Sequence, residues 1–249
     1  MHSLYLNFRI IILLYIPFTG FTQQTDTLHT PPINFTKLND LQVADYTPPA
    51  ARAGKDGNMR FSINLFGSAT KGGNGKRGRQ GAELSVQVSS VLTGDSAILK
   101  IAVTKNKKRK KTDYYYLNPR YGKLTIIADG GEGGKGGKGE NGRNLGDGRA
   151  ALPGGNGGNG GRGGDGGSIK IFFDSTAIPY VNCPCIIYSN RAGYPGYGGM
   201  GGTAGATESF NKRPDPGGSG NSGEGGKAGP PVEKLTPAGN VNHKDTNKH

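Results

Sequence analysis

Two kinds of patterning take turns along the chain. Segments in which apolar and polar residues alternate are separated by polar tracts with glycine at every third position. Residues 83–92 (ELSVQVSSVL) and 97–104 (AILKIAVT) alternate in part, as half-buried strands do, and Thr93-Gly94-Asp95-Ser96 is a turn signal between them. Residues 114–117 and 123–128 (KLTIIA) add two strands split by Asn118-Pro119, which predicts a small antiparallel β module over 83–128. A further strand is expected at 60–66 (RFSINLF). Residues 168–173 (SIKIFF) and 185–188 flank a proline-containing stretch, which predicts a second hairpin over 168–189 that reverses the chain. No α-helix is expected beyond the amino-terminal segment.

Between these segments the glycines fall in register. Gly54 and Gly57 open the first tract, and Gly72, Gly75, Gly78 and Gly81 form the second. The third runs from Gly130 to Gly142, the fourth from Gly154 to Gly166, the fifth from Gly193 to Gly205 and the sixth from Gly217 to Gly229. A period of three matches polyproline II geometry, which lines such glycines along one edge of an extended left-handed helix. That helix makes no internal hydrogen bonds, so its amides and carbonyls need partners elsewhere. Collagen is one solution, but it requires long unbroken triplets rich in proline. The other is a bundle of short polyglycine II helices from one chain, packed closely wherever glycine removes the side chain. Short tracts, doubled glycines and scarce proline favour the bundle. Flexible disorder is the bland alternative for glycine-rich sequence, and the phase held within each tract argues against it.

Doubling of the glycines sorts the tracts. The fourth, GGNGGNGGRGGDGG, leaves one edge for Asn156, Asn159, Arg162 and Asp165, which suits an interior helix. The third behaves similarly, with Glu132, Lys135, Lys138 and Asn141 on its remaining edge. The second has mostly single glycines among Lys76, Arg77, Arg79 and Gln80, which suits the rim. The expected fold is therefore mainly β and irregular: a bundle over residues 54–231 with the β module and hairpin inserted.

The ends read differently. Arg9 precedes an apolar run at residues 10–16, followed by Thr19, Gly20 and Thr22, the layout of a secretory signal peptide over 1–22. The run is too short for a stable membrane anchor, and no later stretch is long enough to span a bilayer. Residues 23–53 read as a polar, proline-containing lead-in, with a weak glycosylation sequon at Asn34, and residues 232–249 as a disordered tail.

Composition narrows the function classes. The 249 residues include 46 Gly and no Trp, and only 33% are hydrophobic, so one ordinary core across the whole chain is not expected. The four histidines lie at 2, 29, 243 and 249, outside any arguable catalytic or zinc set. Repeated GxGxxG matches carry no weight inside a triplet repeat, and GGRGGD at 160–165 lacks the nine-residue period of a calcium-binding repeat. No catalytic residue, cofactor or metal site is expected.

Three features remain as candidate contacts. Net charge is +13, and Lys105, Lys107, Lys108, Arg109, Lys110 and Lys111 form a basic run between two strands. It is either a solvated loop tip or a contact for a polyanion such as surface polysaccharide or extracellular DNA. In the fifth tract, Tyr194, Tyr197, Met200 and Thr203 share one edge. Such a stripe is expected to form a seam against a β module; exposed, it would instead contact carbohydrate or a receptor. Cys183 and Cys185 are the only thiols, and a local disulfide, free thiols and pairing with another chain all stay open.

The run GGxGGxGG followed by SIKIFF and Ile178-Pro179-Tyr180, and Tyr116-Leu117-Asn118-Pro119 before Gly122-Lys123-Leu124-Thr125-Ile126, resemble exported collagen-like glycine-rich proteins of the Bacteroidetes type. The tracts are also similar to polyglycine II bundles of some antifreeze proteins and phage tail-tip adhesins. The resemblance covers residues 54–231 and implies no catalytic residues. The function expected is a secreted or cell-surface structural or adhesive scaffold, with polyanion binding as the alternative. Ice binding is a weaker reading, because the tracts present Lys, Asn, Arg and Asp rather than a flat Thr/Ala face. A collagen-like trimer is weaker because the tracts are short, carry doubled glycines and are poor in proline.

Overall fold

The computed structural model describes residues 37–57, 69–93, 96–106, 110–144, 151–206, 215–237 and 239–240, all in the unit that begins at Pro32. The expected signal segment and the strand expected at 60–66 lie outside the described residues. Alternation decides the β elements. Leu84, Val86 and Val88 of β2 (Glu83–Thr93) point inward, as do Leu99, Ile101 and Val103 of β3 (Ser96–Lys105) and Ile169, Ile171 and Phe173 of β6 (Ser168–Phe173). β4 (Lys111–Leu117), β8 (Glu233–Thr236) and β9 (Gly239–Asn240) complete a six-stranded sheet in the order β4-β3-β2-β6-β8-β9. A second sheet, all parallel, has the order β1-β5-β7, from β1 (Leu41–Asp45), β5 (Lys123–Ile127) and β7 (Ile186–Ser189). Ala44, Leu124 and Ile126 of this sheet share one core with the inward residues of the other. The protein is mainly β, and no helix among the described residues is long and apolar enough to cross a membrane.

Several pairings differ from those expected. Only β2, β3 and β4 form the antiparallel module; β5 leaves it for the parallel sheet. The hairpin expected over 168–189 does not form, because β6 pairs parallel with β2 and β7 parallel with β5, in different sheets. The lead-in is not a tether: residues 41–45 pair with β5, and Ala51 continues the pairing onto Glu132. The tail expected to be disordered contributes β8, parallel to β6.

The physical reason is visible in the tracts, which deliver the strands. β1, β5 and β7 each feed one odd-numbered tract, and β2, β6 and β8 each follow one even-numbered tract. The amides of Gly54 and Gly57 donate to Lys135 and Lys138, and those of Gly133, Gly136 and Gly139 to Tyr194, Tyr197 and Met200. Both numbers rise together, so the first, third and fifth tracts run parallel in one layer. Gly72, Gly75 and Gly78 donate to Asn156, Asn159 and Arg162, and Gly157, Gly160 and Gly163 to Gly218, Asn221 and Glu224, which makes a parallel layer of the even tracts. Between layers the order reverses: Gly158, Gly161 and Gly164 donate to Gly137, Gly134 and Gly131. The β1-β5-β7 sheet and the parallel β2-β6-β8 part of the other each join a layer of tracts, and three strand–tract–tract–strand units stand side by side.

Close approach explains the doubled glycines. A Cβ on Gly161 would meet the carbonyl oxygen of Lys76, and one on Gly134 that of Arg52, nearer than real Cβ atoms come. The third tract bonds to the first, second, fourth and fifth, and the fourth to the second, third, fifth and sixth. The first and second tracts, with mostly single glycines, lie at one side, where one edge has no neighbour among the described residues.

Candidate functional site

In each tract two of three residues bond to neighbours, and the third faces outward. Its amide still needs a partner. The even layer supplies one from side chains. Oδ1 of Asn156, Asn159 and Asp165 accepts from the amides of Gly218, Asn221 and Lys227, at 2.8, 3.1 and 2.8 Å, always 62 residues on. The Lys227 amide is the leading cause that holds the Asp165 carboxyl below the usual carboxylate range, helped by Arg162 and Arg77. This layer's outer face is polar throughout its Asn74, Arg77, Asn159 and Arg162 positions.

The odd layer presents a different face. Asn141 Oδ1 accepts from the Thr203 amide, again 62 residues on, so Glu132, Lys135, Lys138 and Asn141 correspond to Tyr194, Tyr197, Met200 and Thr203. The substitution changes a charged edge into an apolar one. Tyr194, Tyr197 and Met200 are 75%, 71% and 74% exposed, and Thr203 is exposed as well. The stripe is not a seam. Gly193 and Gly196 face the third tract, Gly198 and Gly201 face the sixth, and the remaining edge meets solvent. The sheet that feeds the layer also exposes apolar side chains. Ile186 and Tyr188 of β7 pack on the core, which leaves Ile187 outward beside Thr125 and Val43, and Leu41 is exposed with them. Scattered apolar residues on a surface are ordinary, whereas three large ones at successive steps of one tract edge are informative.

Cations gather at the opposite side of the bundle. Of the basic run, Lys107, Lys108 and Arg109 lie outside the described residues; Lys110 and Lys111 are exposed. Lys111 pairs with Asp113 at 3.1 Å, and Lys105 Nζ lies 5.8 Å from the Tyr46 ring centroid. Lys105 and Lys111 stand directly opposite each other across β3 and β4, where like charges are unfavourable. Tyr46 donates to Asp113 and leads into a cleft of about 550 Å³ lined by Pro49, Ala50, Ala51, Arg52, Lys76, Arg77 and Arg79. The sequence reading placed Lys76, Arg77 and Arg79 at the rim without seeing that Arg52 of the lead-in joins them.

Cys183 and Cys185 are joined to each other, in the segment between β6 and β7. Cys185 is buried in the core and Cys183 packs against it, so this link stiffens the crossover between sheets. The unit repeat was also missed. Its signal lay in the phase of the glycines, since Gly193 follows Gly130 by 63 residues, as Gly217 follows Gly154. No protein-family model, curated protein or solved structure matches the chain.

Proposed function

We propose that the protein is an exported, non-catalytic scaffold of the cell surface or its matrix, and that the stripe Tyr194–Tyr197–Met200–Thr203 is its adhesive edge. The observation that carries this reading is the exposure of three large apolar side chains on one edge of a backbone bonded on three sides. Tyrosine offers a flat apolar face and a hydroxyl at little entropic cost, which suits carbohydrate or protein surfaces. Export is supported by the layout of residues 1–22. The six tracts are read as polyglycine II helices, supported by lateral bonds that recur at every third residue.

The test replaces Tyr194 and Tyr197 by Ser together. Retention on cell walls or extracted surface polysaccharide should be lost while the thermal melt stays unchanged. Retention equal to the unaltered protein's would sink the adhesive reading. A far-UV circular dichroism melt with a mass measurement addresses the helices: a cooperative monomeric melt supports them, and a collagen-like trimer overturns them.

Polyanion contact through the 105–111 loop is the second reading, favoured by the like-charged Lys105–Lys111 pair, which an anion would relieve. Removal of residues 105–111 should then lower salt-sensitive retention on heparin or DNA; unchanged retention excludes the loop.

A further inference from the structure

The basic side of the bundle is built differently from its interior, and the difference points to a ligand. In the fourth tract, Gly158, Gly161 and Gly164 donate to the third tract, and a Cβ on any of them would collide with the second tract. In the second tract, the residues at the same place in the bonding pattern are Gly73 and Lys76, which donate to Lys55 and Arg52 of the first, followed by Arg79. Among the described residues no further tract stands beside them, so the side chains of Lys76 and Arg79 project where another tract would otherwise pack. The first tract repeats the substitution. Gly134 and Gly137 of the third tract face Arg52 and Lys55, and those two residues in turn face outward.

Charged side chains at an open edge prevent further backbone pairing, as they do on edge strands. Blocking alone would be served by any bulky residue. Here all four blockers are cations, all four are exposed, and none forms an ion pair among the described residues. They form two antiparallel rows, with Arg52 level with Lys76 through the bond between their backbones. Cations three residues apart along an extended tract stand roughly 9 Å apart at 3.1 Å per residue. Arg52, Lys76 and Arg79 line the open cleft of about 550 Å³ with Pro49, Ala50, Ala51 and Arg77, and Lys55 extends the first row beyond it.

We infer that the Arg52–Lys55–Lys76–Arg79 edge binds a linear polyanionic glycan, carrying sulfate or carboxylate groups, laid along the first and second tracts. A glycan is favoured over single-stranded nucleic acid by the cleft's lining. Sites for single strands interleave cations with aromatic platforms for the bases, and this cleft is lined by Pro49, Ala50 and Ala51 with no aromatic residue. The forked donors of arginine can bond two oxygens of a carboxylate or of a sulfate at once. The edge is separate from the tyrosine stripe and does not depend on it.

The experiment measures binding of the full chain to heparin, to hyaluronan and to single-stranded DNA across a salt series. The variant Arg52→Gln/Lys76→Gln/Arg79→Gln keeps bulk at the edge and removes charge. Its heparin affinity at low salt should fall about tenfold or more, with a shallower salt dependence. Arg52→Lys/Arg79→Lys should keep the salt dependence and lose part of the affinity with the forked donors, and Tyr194→Ser/Tyr197→Ser should leave the affinity intact. On the unaltered protein, heparin should protect Lys55 and Lys76 from acetylation. Unchanged heparin affinity in the Gln variant, or acetylation of both lysines at the free rate, overturns the site. Tighter binding of DNA than of either glycan, lost in the same variant, overturns the glycan assignment in favour of nucleic acid.

Discussion

Glu140 accepts hydrogen bonds from both the amide and the hydroxyl of Thr70, at 2.7 and 2.8 Å, across 70 residues of chain. Glu140 continues the series Gly131, Gly134, Gly137, whose members lie against the first tract. A carboxylate fits at this one step of the series and ties the end of the third tract to the residues that enter the second. Its buried position makes the bonds count.

Glu140→Ala removes two bonds to a charged acceptor and should lower stability by about 1–3 kcal/mol. Glu140→Gln keeps an acceptor oxygen in place and should cost less. Urea unfolding of the two variants gives the comparison; equal losses would show that the carbonyl and carboxylate are not the groups that matter.

Glycine should be indispensable in the interior and dispensable at one edge. A Cβ on Gly161 meets backbone atoms of the second tract, whereas one on Gly225 meets nothing within 4 Å. Gly161→Ala should destabilise by about 1–3 kcal/mol or more, because the obstructing atoms are backbone and cannot swing away. Gly225→Ala should fall within about 0.5 kcal/mol of the parent. Thermal melts of the pair suffice, and similar values for both would contradict the packing of the tracts.

Alkaline pH should weaken the fold through Tyr46. Burial, then donation to Asp113 at 2.9 Å, raises its phenol above the ordinary value of 10.0, and burial raises Tyr115 as well. A raised folded pKa means that the neutral phenol is favoured in the native state. Its contribution is therefore complete below about pH 10 and declines as pH climbs beyond it. Tyr46→Phe should lose about 1 kcal/mol at pH 7 and show a flatter decline in stability between pH 10 and 12, read from denaturant midpoints.

Much of this fold can be read from alternation and phase, and the misreadings have definite causes. Ile169, Ile171 and Phe173 mark an inward face by themselves, because period-two spacing is local. Their partner is not local. β6 pairs with β2 because the fourth tract runs beside the second, a relationship set by glycine contacts some 80 residues apart in the chain. β1 is harder still. Leu41 and Val43 would place its apolar face inward, yet they are exposed and Ala44 is the buried residue. Its register is imposed by β5 and the first tract rather than by its own side chains. The same limit applies to Tyr194 and Tyr197: their common edge follows from the spacing, but only the order of the tracts leaves it exposed among the described residues.

The recurrence of bonds at 62 residues has an evolutionary consequence. A tandem duplication of one such unit would widen the platform by a column and leave its height and core cross-section as they are. A single residue inserted within a tract would be far more damaging. Every outward tyrosine, lysine or asparagine beyond it in that tract would rotate into a space that admits only hydrogen. Breadth can therefore vary by whole units, and the connecting segments can vary in length, since β1 pairs with β5 at a separation of 82 residues and β5 with β7 at 62, while the phase inside a tract cannot slip.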